Sequence, residues 1–514
     1  MVLHRPSRLF GLSLLLQLGQ GKADTVAVPS CPKDTEPVAN DLQSFSIEFS
    51  YFPDFTGKKS HPNEFSRTLL GNLKDITGVA PVIRVGGTTQ DRAEYHPSQK
   101  EPIRNIFENP DDDQPIKTDF GPGFFESYEV LGDFPYIHGL NFNLSLAQET
   151  SSTIAMCKLM NTKNLHLYEL GNEINMEPTR YRPANYSMAD YIREWNYKST
   201  AIAAAYKKAC GGPFPGMMAP SFILPSFDLA DSTPWTIEGI YANGYDKNNL
   251  TREICAHQYM QENRPPQLPP ATRLQRILMN HTNIVESLGP HIQRAKNLEY
   301  LDHPYVLGEM NSIANQGRDG ESNVFGDALW LVDFSLWAAE HNIKRLNFHQ
   351  GTSYRYASWQ PILNKGIAPT TKPPYYGQIM VAMALGRSEN MRIRNIPLSG
   401  HNEAAYALFD NSRLSKLVVL NMEAFNSTSG ADSRSSQEYK FKVLGGSKSA
   451  NVQRLIAPGS DVEKNVTFGG ISYDYELEKG NAVVVDDMEE TVEIEDGVLS
   501  ITVPDSSAVL LTLD

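Results

Sequence analysis

At residues 165–173 the chain reads LHLYELGNE. The first six residues of this stretch form a short, mostly apolar run, which is typical of a buried strand. Helical patterning with a period of about 3.6 residues precedes the run over 147–160 and follows it over 188–209. We therefore predict a strand between two helices, and this strand ends at the neighbouring residues Asn172 and Glu173.

Seven further apolar runs of strand length alternate with helix-like segments between residues 44 and 386. The other predicted strands are Phe45–Tyr51, Val82–Gly86, Tyr136–Phe142, Gly216–Ala219, Glu253–Tyr259, Tyr305–Gly308 and Arg345–Phe348. The other predicted helices are Asn63–Ile76, Ala271–Lys296 and Ala328–Glu340. Strands and helices in this alternation predict a (β/α)8 TIM barrel. An open doubly wound sheet is the alternative, but no Gly-x-Gly-x-x-Gly follows the first strand.

The sequence changes character after Gly386. Long helical patterns stop, and short alternating segments such as Lys416–Leu420 are separated by turns rich in Gly, Asn, Asp and Ser. This pattern predicts an antiparallel β-sandwich domain over 387–514. We expect residues 24–43 to join that sandwich, so the fold class is α/β: a barrel over 44–386 with a C-terminal β-sandwich.

Residues 1–23 are predicted to be a signal peptide. Arg5 and Arg8 precede a short apolar run, and small residues surround the expected cleavage after Ala23. The apolar run is too short to cross a membrane, which takes roughly 20 residues. We therefore expect the protein to be secreted and to have no membrane anchor.

Cysteines and glycosylation sequons fit this expectation. Cys31, Cys157, Cys210 and Cys255 permit one or two disulfides, and the spacing leaves their pairing open. Asn-x-Ser/Thr sequons predict N-glycosylation. They lie at Asn143, Asn185, Asn249, Asn280, Asn426 and Asn465.

The charge of the chain argues against several classes of partner. Lys and Arg total 46 against 60 Asp and Glu, which gives a formal net charge of −14. Nucleic acid and anionic membrane surfaces are therefore poor partners, and so is a highly sulfated polymer. The sequence has no Cys-x-x-Cys and no His-x-x-x-His, so we predict no metal site and no cofactor. The oligomeric state is left open.

A second strand also ends on a glutamate. Glu309 directly follows Tyr305–Gly308, so the barrel pattern places it at the mouth of strand 7, as Glu173 lies at the mouth of strand 4. Two carboxyl groups across a cleft suit glycoside hydrolysis, in which one protonates the leaving oxygen and the other attacks the anomeric carbon or activates water. A single glutamate after a strand is as often a solvated residue or a first-turn helix charge. The pair is the stronger signal.

These motifs resemble glycoside hydrolase family 79, the family of β-glucuronidases and heparanases, and its fungal members in particular. The resemblance covers most of the chain, including the β-rich C-terminal part. It is carried by Tyr168–Glu173, Leu307–Glu309, Ile83–Gly87, His257–Tyr259, Phe348–Gly351, Tyr354 and Trp359–Pro361. It implies that Glu173 is the acid/base, that Glu309 is the nucleophile and that the enzyme retains the anomeric configuration.

Neighbouring residues are expected to bind the sugar. Asn172 adjoins the acid and is suited to hold the sugar 2-hydroxyl. Tyr259 is expected beside Glu309, as its hydrogen-bond partner or as a substrate contact, with simple packing as the alternative. The resemblance makes Tyr354 part of the sugar site, with Tyr356 as a nearby competitor.

Strands 1 and 2 supply further candidates. Glu48 is expected to bind sugar hydroxyls or to form a salt bridge within the barrel. Gly86 and Gly87 would let the backbone approach a ligand, although tight turns use glycine equally. Arg84 precedes its strand end, so we expect it to orient barrel carboxylates rather than to meet substrate.

One segment departs from the family pattern. Members that recognise a uronate often carry Tyr-Gly-Gly shortly after the nucleophile, whereas this chain has Ala314-Asn315-Gln316-Gly317. We expect Gln316 and Gly317, with the neighbouring Arg318, to stand in for that segment.

The predicted function is a secreted, exo-acting, retaining β-glucuronidase. Its expected substrate is a glycan with terminal β-linked glucuronic acid, including the 4-O-methylated form. Heparanase-like endo activity is disfavoured because the acidic chain would repel a sulfated polymer. Two alternatives are a barrel glycosidase for a neutral sugar, such as an arabinofuranosidase, and a catalytically silent carbohydrate-binding protein.

Overall fold

The computed structural model describes the chain from residue 24 onwards with short gaps. The described ranges are 24–33, 35–176, 182–224, 235–263, 273–428, 434–443, 445–487 and 489–514. The predicted signal peptide, residues 1–23, lies outside them.

Eight parallel strands close into a barrel, which confirms the predicted fold class. In chain order they are Gln43–Glu48, Ile83–Gly86, Tyr136–Leu140, Leu165–Leu170, Met217–Ile223, Thr251–Glu262, Tyr305–Ala314 and Leu346–Gln350. The last strand pairs with the first in register, from Leu346 opposite Gln43 to Gln350 opposite Ile47. The carboxyl ends of all eight strands therefore open on one face of the barrel.

The fourth strand explains why these segments read as continuous apolar runs. Leu167 packs inside the barrel with residues such as Val306, whereas Tyr168 and Leu170 pack outward against the helix layer. Successive side chains of a strand point to opposite faces, so a strand buried on both faces is apolar throughout. Glu169 is the polar exception on the inner face, and it is fully buried.

Helices surround the barrel and pack between it and the second domain. The α-helices are Phe52–Thr56, Glu64–Thr77, Glu126–Leu131, Leu146–Leu159, Met188–Cys210, Ile237–Ala242, His281–Asn297, Phe325–Glu340, Pro373–Leu385 and Tyr475–Glu478. Short 3-10 turns are Phe49–Tyr51, Thr88–Arg92, Pro122–Phe125, Thr162–Asn164, Ile174–Met176 and Glu299–Leu301. Among the described residues, no helix is long and apolar enough to span a membrane.

Two details of the barrel differ from the sequence prediction. The helix predicted over Ala271–Lys296 is broken into a π-helical turn, Leu274–Leu278, and the helix His281–Asn297. The break follows from Asn280, because its side chain caps the second helix by accepting a hydrogen bond from the backbone N–H of Asn283.

The second detail concerns the region after the second strand, where the sequence predicts no strand before Tyr136. This region forms a small three-stranded sheet, Ala93–Tyr95, Ile103–Ile106 and Lys117–Phe120. In the acidic stretch 111–113, Asp113 forms a salt bridge with Arg355 at 2.6 Å. Two-stranded pairs, Gly57–Lys58 with His61–Pro62 and Trp359–Gln360 with Thr370–Thr371, complete this side of the barrel.

The C-terminal part is an antiparallel β domain, as predicted. Its strands are Met391–Asn395, Glu403–Asp410, Arg413–Asn421, Ser436–Lys442, Ser449–Ile456, Thr467–Phe468, Ile471–Ser472, Val483–Val484, Glu490–Glu495, Val498–Pro504 and Ser507–Leu513. The N-terminal strand Thr25–Ala27 joins this domain by pairing in parallel with Ser436–Lys442.

The strand Glu403–Asp410 binds the two domains together. Tyr406 and Leu408 pack into the core shared with the barrel, whereas Ala405 and Ala407 face the interior of the β domain. The Tyr406 hydroxyl donates to buried Asp333 on helix Phe325–Glu340 at 2.5 Å. Both faces of this strand are therefore buried, one in each core.

One disulfide resolves the pairing that the sequence left open. Cys157 and Cys210 join the helices Leu146–Leu159 and Met188–Cys210. Cys31 and Cys255 are free thiols.

Candidate active site

Glu173 and Glu309 meet at the open face of the barrel. One carboxylate oxygen of each, and a ring nitrogen of His257, lie within 4.8 Å of one another. Glu173 comes just after the fourth strand. Glu309 lies inside the seventh strand, which extends to Ala314 rather than ending at Gly308 as predicted, because its pairing with the sixth strand continues that far.

The turn that carries Glu173 has an unusual backbone. Gly171 has φ +85° and Glu173 has φ +55°, both in the left-handed region. A side chain at Gly171 would come within 2.9 Å of Phe142 and Ile174, so only glycine fits there. The Glu173 N–H donates to the carbonyl of Ser221 at 2.9 Å. A non-glycine residue with positive φ costs energy and persists only where its surroundings hold it.

Arg84 lies at the centre of the site and is fully buried. Its Nε donates to Glu169 Oε2 at 2.8 Å, and its Nη1 donates to Glu309 Oε2 at 2.5 Å. Its Nη2 also donates to Asn172 Oδ1 at 2.7 Å. Burial opposes the charge on Arg84, but the negative charges of Glu169 and Glu309 outweigh it and raise the pKa of the guanidinium. Arg84 therefore orients carboxylates, as the sequence led us to expect.

The surroundings of Glu309 favour its ionised form. Burial alone would raise its pKa, but the positive charges of His349 and Arg84 hold the pKa well below its usual range. The Tyr259 hydroxyl adds a hydrogen bond to Glu309 Oε1 at 2.7 Å. A carboxylate with these donors stays charged at neutral pH.

Glu173 has the opposite tendency. Burial and the negative charge of Glu309 raise its pKa to about 8. His257 Nδ1 lies 3.0 Å from Glu173 Oε1, but burial and the charge of Arg84 lower the pKa of His257 to about 4, so this imidazole is neutral. The two glutamates thus hold different protonation states at neutral pH, which is the requirement for acid/base chemistry on one bond.

Glu48 ends the first strand, and its oxygens are already occupied. It accepts from the N–H and hydroxyl of Thr89, from Gln114 Nε2 at 3.0 Å and from the Tyr354 hydroxyl at 3.1 Å. His349 Nε2 lies 3.2 Å away. Since Glu48 is fully buried, the structure gives it an organising position among these groups.

His349 connects Glu48 with Glu309. Its Nδ1 lies 2.8 Å from Ser46 Oγ and 3.8 Å from Glu309 Oε2. Burial opposes protonation, but the charges of Glu309 and Glu48 raise the pKa of His349. Gly87 leaves room for this group, because a Cβ there would lie 2.7 Å from Glu48 Oε1 and 2.9 Å from the His349 ring.

The remaining predicted residues lie around this centre. Tyr354 is buried and contacts Glu48 rather than either glutamate of the pair. Gln316 and Gly317 follow the seventh strand, and their carbonyls accept from Arg355 N–H and from Asn263 Nδ2. Tyr356 packs beside Gly317 and within 6.1 Å of the Tyr259 ring.

Sequence reasoning did not assign roles to several of these residues. The motifs include His257 and His349 without indicating a role for either, and the sequence does not predict Gln114 as part of the site. For the two histidines, the signal in the sequence is a histidine inside an otherwise apolar predicted strand. Gln114 offered none, because it reaches Glu48 from a distant loop.

Three groups among the described residues bring possible metal ligands within 4.8 Å of one another. They are Glu169–Cys255–His257, Glu94–His96–Asp119 and Glu173–His257–Glu309. Each contains a carboxylate already paired with a cation: Arg84 on Glu169 and Glu309, and Arg104 on Asp119. These cations compete with a metal ion for the same oxygens.

Comparisons with known proteins show the family to which the chain is similar. Residues 405–510 match the glycosyl hydrolase family 79 C-terminal beta domain. A β-glucuronidase of Aspergillus niger is 38% identical, over 94% of this chain and 93% of its own. A β-glucuronidase of Neurospora crassa is 33% identical, over 90% and 89%. The crystal structure of a 4-O-α-L-rhamnosyl-β-D-glucuronidase from Fusarium oxysporum is similar with a TM-score of 0.76 and 25% identity, covering 95% of this chain and all of that one.

Replacing Arg84 by Met is expected to lower the free energy of unfolding by about 3–5 kcal/mol, because two buried carboxylates lose their countercharge. Urea unfolding at pH 7 measures this change. The double variant Arg84→Met/Glu169→Gln is expected to recover part of the loss, since it removes one of the two stranded charges. A loss below about 1 kcal/mol in the single variant would contradict this role.

Proposed function

The chain belongs to glycoside hydrolase family 79, and from this premise we propose that it is a retaining β-glucuronidase. The proposed reaction removes terminal β-linked glucuronic acid, with or without a 4-O-methyl group, from glycans. Glu309 is the proposed nucleophile and Glu173 the proposed acid/base. The observation that carries the proposal is the meeting of Glu309 and Glu173 within 4.8 Å, in surroundings that lower the pKa of Glu309 and raise that of Glu173.

In the first step, a Glu309 oxygen attacks the anomeric carbon while the bond to the leaving oxygen breaks. Glu173 gives its proton to that oxygen, so the aglycone departs as an alcohol and a glycosyl ester of Glu309 remains. Glu173 is now ionised. In the second step it takes a proton from water, the water oxygen attacks the anomeric carbon, and the ester bond breaks to restore both glutamates.

The carboxyl separation supports retention. Retaining glycosidases hold their two carboxyl groups about 5–5.5 Å apart, whereas inverting enzymes need about 6.5–9.5 Å to admit a water molecule. One oxygen of Glu173 and one of Glu309 lie within 4.8 Å of each other, which is closer than the separation that inversion needs. Because Arg84 occupies Asn172 Oδ1, the Nδ2 group of Asn172 is left to donate to the sugar 2-hydroxyl.

Both fungal relatives are named β-glucuronidases, which supports glucuronic acid as the sugar. We propose that Tyr259, Tyr354, Glu48 and Gly87 shape the sugar site. Gln316 and Gly317 are proposed to face the uronate carboxylate. With φ values of +64° and +73°, next to Asn315 at +60°, they form a tight turn, and backbone N–H groups in turns can bind anions.

The wild-type protein is expected to hydrolyse 4-nitrophenyl β-D-glucuronide, and both glutamates are expected to be essential. Glu309→Ala should reduce turnover to background because no covalent intermediate forms. Glu173→Ala should lower kcat about 10²–10⁴-fold, the usual contribution of a general acid/base. Glu126→Gln, at an exposed glutamate, serves as the matched control and should keep full activity.

Azide separates the two roles. It should restore turnover in Glu173→Ala and give the β-glucuronyl azide, because the small anion attacks the ester without base catalysis. In Glu309→Ala, azide should attack the substrate directly, so the product that it forms should be the α-glucuronyl azide. Full activity in either alanine variant would overturn the assigned roles, and release only from neutral aryl glycosides would overturn the uronate substrate.

The pH dependence of kcat/KM is expected to be bell-shaped. Activity should appear as Glu309 ionises below pH 4.5 and should disappear as Glu173 loses its proton near pH 8. Glu173→Gln cannot ionise, so its residual activity should lack the basic limb. Initial rates between pH 3 and pH 10 measure this. A basic limb that persists in Glu173→Gln would belong to another group.

We also propose that the protein is secreted and N-glycosylated, with a carbohydrate substrate and with neither nucleic acid nor a membrane as partner. The disulfide between Cys157 and Cys210 supports an oxidising compartment. Three sequon asparagines, Asn185, Asn249 and Asn465, are exposed. The other three are half-buried: Asn143, Asn280 and Asn426.

Expression of the full chain in a fungal host is expected to deliver the protein to the culture medium with glycans at Asn185, Asn249 and Asn465. Peptide mass spectrometry after enzymatic deglycosylation identifies the occupied sites. Asn426 should stay unmodified, because its side chain is held by Gln275 and Ser460. Retention of an unglycosylated chain inside the cells would contradict secretion.

A further inference from the structure

Asp91 is a buried residue that has no part in the proposed mechanism. Its carboxylate binds the turn that carries Glu173. Asp91 lies in the 3-10 turn Thr88–Arg92, just beyond the second barrel strand, and is 4% exposed. Its Oδ2 accepts a hydrogen bond from the backbone N–H of Asn172 at 2.7 Å. Its Oδ1 accepts one from the backbone N–H of Phe142, also at 2.7 Å.

These two bonds join three strand ends. Phe142 follows the third strand and Asn172 follows the fourth, so one carboxylate from the second strand fixes both turns. The Asn172 N–H lies between two residues with positive φ, Gly171 and Glu173. Such a turn lacks regular backbone pairing, and a buried N–H without a partner costs roughly 1–3 kcal/mol. Asp91 supplies the missing acceptor.

The same turn sets the direction in which the Glu173 carboxyl points. The Asn172 side chain is tied to Arg84, its N–H to Asp91, and the next N–H, that of Glu173, to the Ser221 carbonyl. Three hydrogen bonds therefore keep Glu173 in its left-handed backbone conformation: one to Arg84 on the second strand, one to Asp91 in the turn after that strand, and one to Ser221 on the fifth strand. Asp91 binds the backbone of two turns, those at Phe142 and at Asn172.

We propose that Asp91 is a positioning residue for general acid catalysis: through the main chain of Asn172 it keeps the Glu173 carboxyl aimed at the leaving-group oxygen. The inference rests on the proposed acid/base role of Glu173. Asn at this position has only one acceptor oxygen, so Asp91→Asn loses one of the two backbone bonds and presents an N–H₂ group to the other donor.

Leaving groups of different basicity test the proposal. The β-glucuronide of 2,4-dinitrophenol departs without protonation, whereas that of 4-methylphenol needs the general acid. In Asp91→Asn, kcat/KM on the 4-methylphenyl substrate should fall about 10- to 100-fold more than on the dinitrophenyl substrate, a part of the usual 10²–10⁴-fold acid contribution. This ratio comes from one preparation and does not depend on the fraction of folded protein. Asp91→Glu, which keeps the carboxylate, should show a smaller ratio.

Two variants run beside it separate the possible failures. Glu149→Gln alters another buried carboxylate. Among the described residues Glu149 makes no hydrogen bond to this turn, so any loss of kcat/KM should be equal on the two substrates. Glu173→Gln should show the largest ratio of all. An equal loss on both substrates in Asp91→Asn, with Glu173→Gln behaving as expected, would make Asp91 merely structural. An equal loss in Glu173→Gln would instead overturn the proposed acid itself.

Discussion

A single buried guanidinium organises the open end of the barrel. Arg84 holds Glu169, Glu309 and the amide of Asn172 at once, and none of these contacts reaches solvent. A charge in a protein interior is tolerated only when it is paired and hydrogen-bonded. The positions of three strand ends are therefore set relative to this one side chain.

The unequal protonation of the two glutamates follows from where the positive charges lie. Arg84 and His349 both face Glu309, so the negative charge is stabilised on that side. Glu173 faces a neutral His257 and the negative charge of Glu309, so it keeps its proton. The sequence positions of the two glutamates do not cause this difference in protonation. The asymmetry comes from the side chains that surround them.

Much of the fold was predictable from local patterns. The barrel strands read as apolar runs because they are buried on both faces, and family membership predicted from the motifs was confirmed. The strand Glu403–Asp410 and the helix Pro373–Leu385 were not predicted. The strand contains three alanines, a residue depleted in strands, and the helix begins with Pro373-Pro374 and contains Gly377, residue types that usually mark turns.

Contacts within the site were harder to predict. The sequence places Glu48 near the end of the first strand, but the five groups that saturate it come from the turn Thr88–Arg92, from the eighth strand and from two loops. The same holds for the disulfide, because spacing alone did not distinguish Cys157–Cys210 from other pairings. Sequence patterns report local burial, whereas these contacts join segments that are far apart in the chain.

The helix Phe325–Glu340 has a consequence for how such enzymes evolve. Fifteen of its 16 residues are buried, since one side covers the strand that bears Glu309 and another side meets the β domain. The barrel, which holds the carboxyl pair, therefore depends on the β domain to cover this helix. A barrel without the β domain would expose these apolar side chains to water and would be prone to aggregate, so a rearranged gene would have to carry both parts.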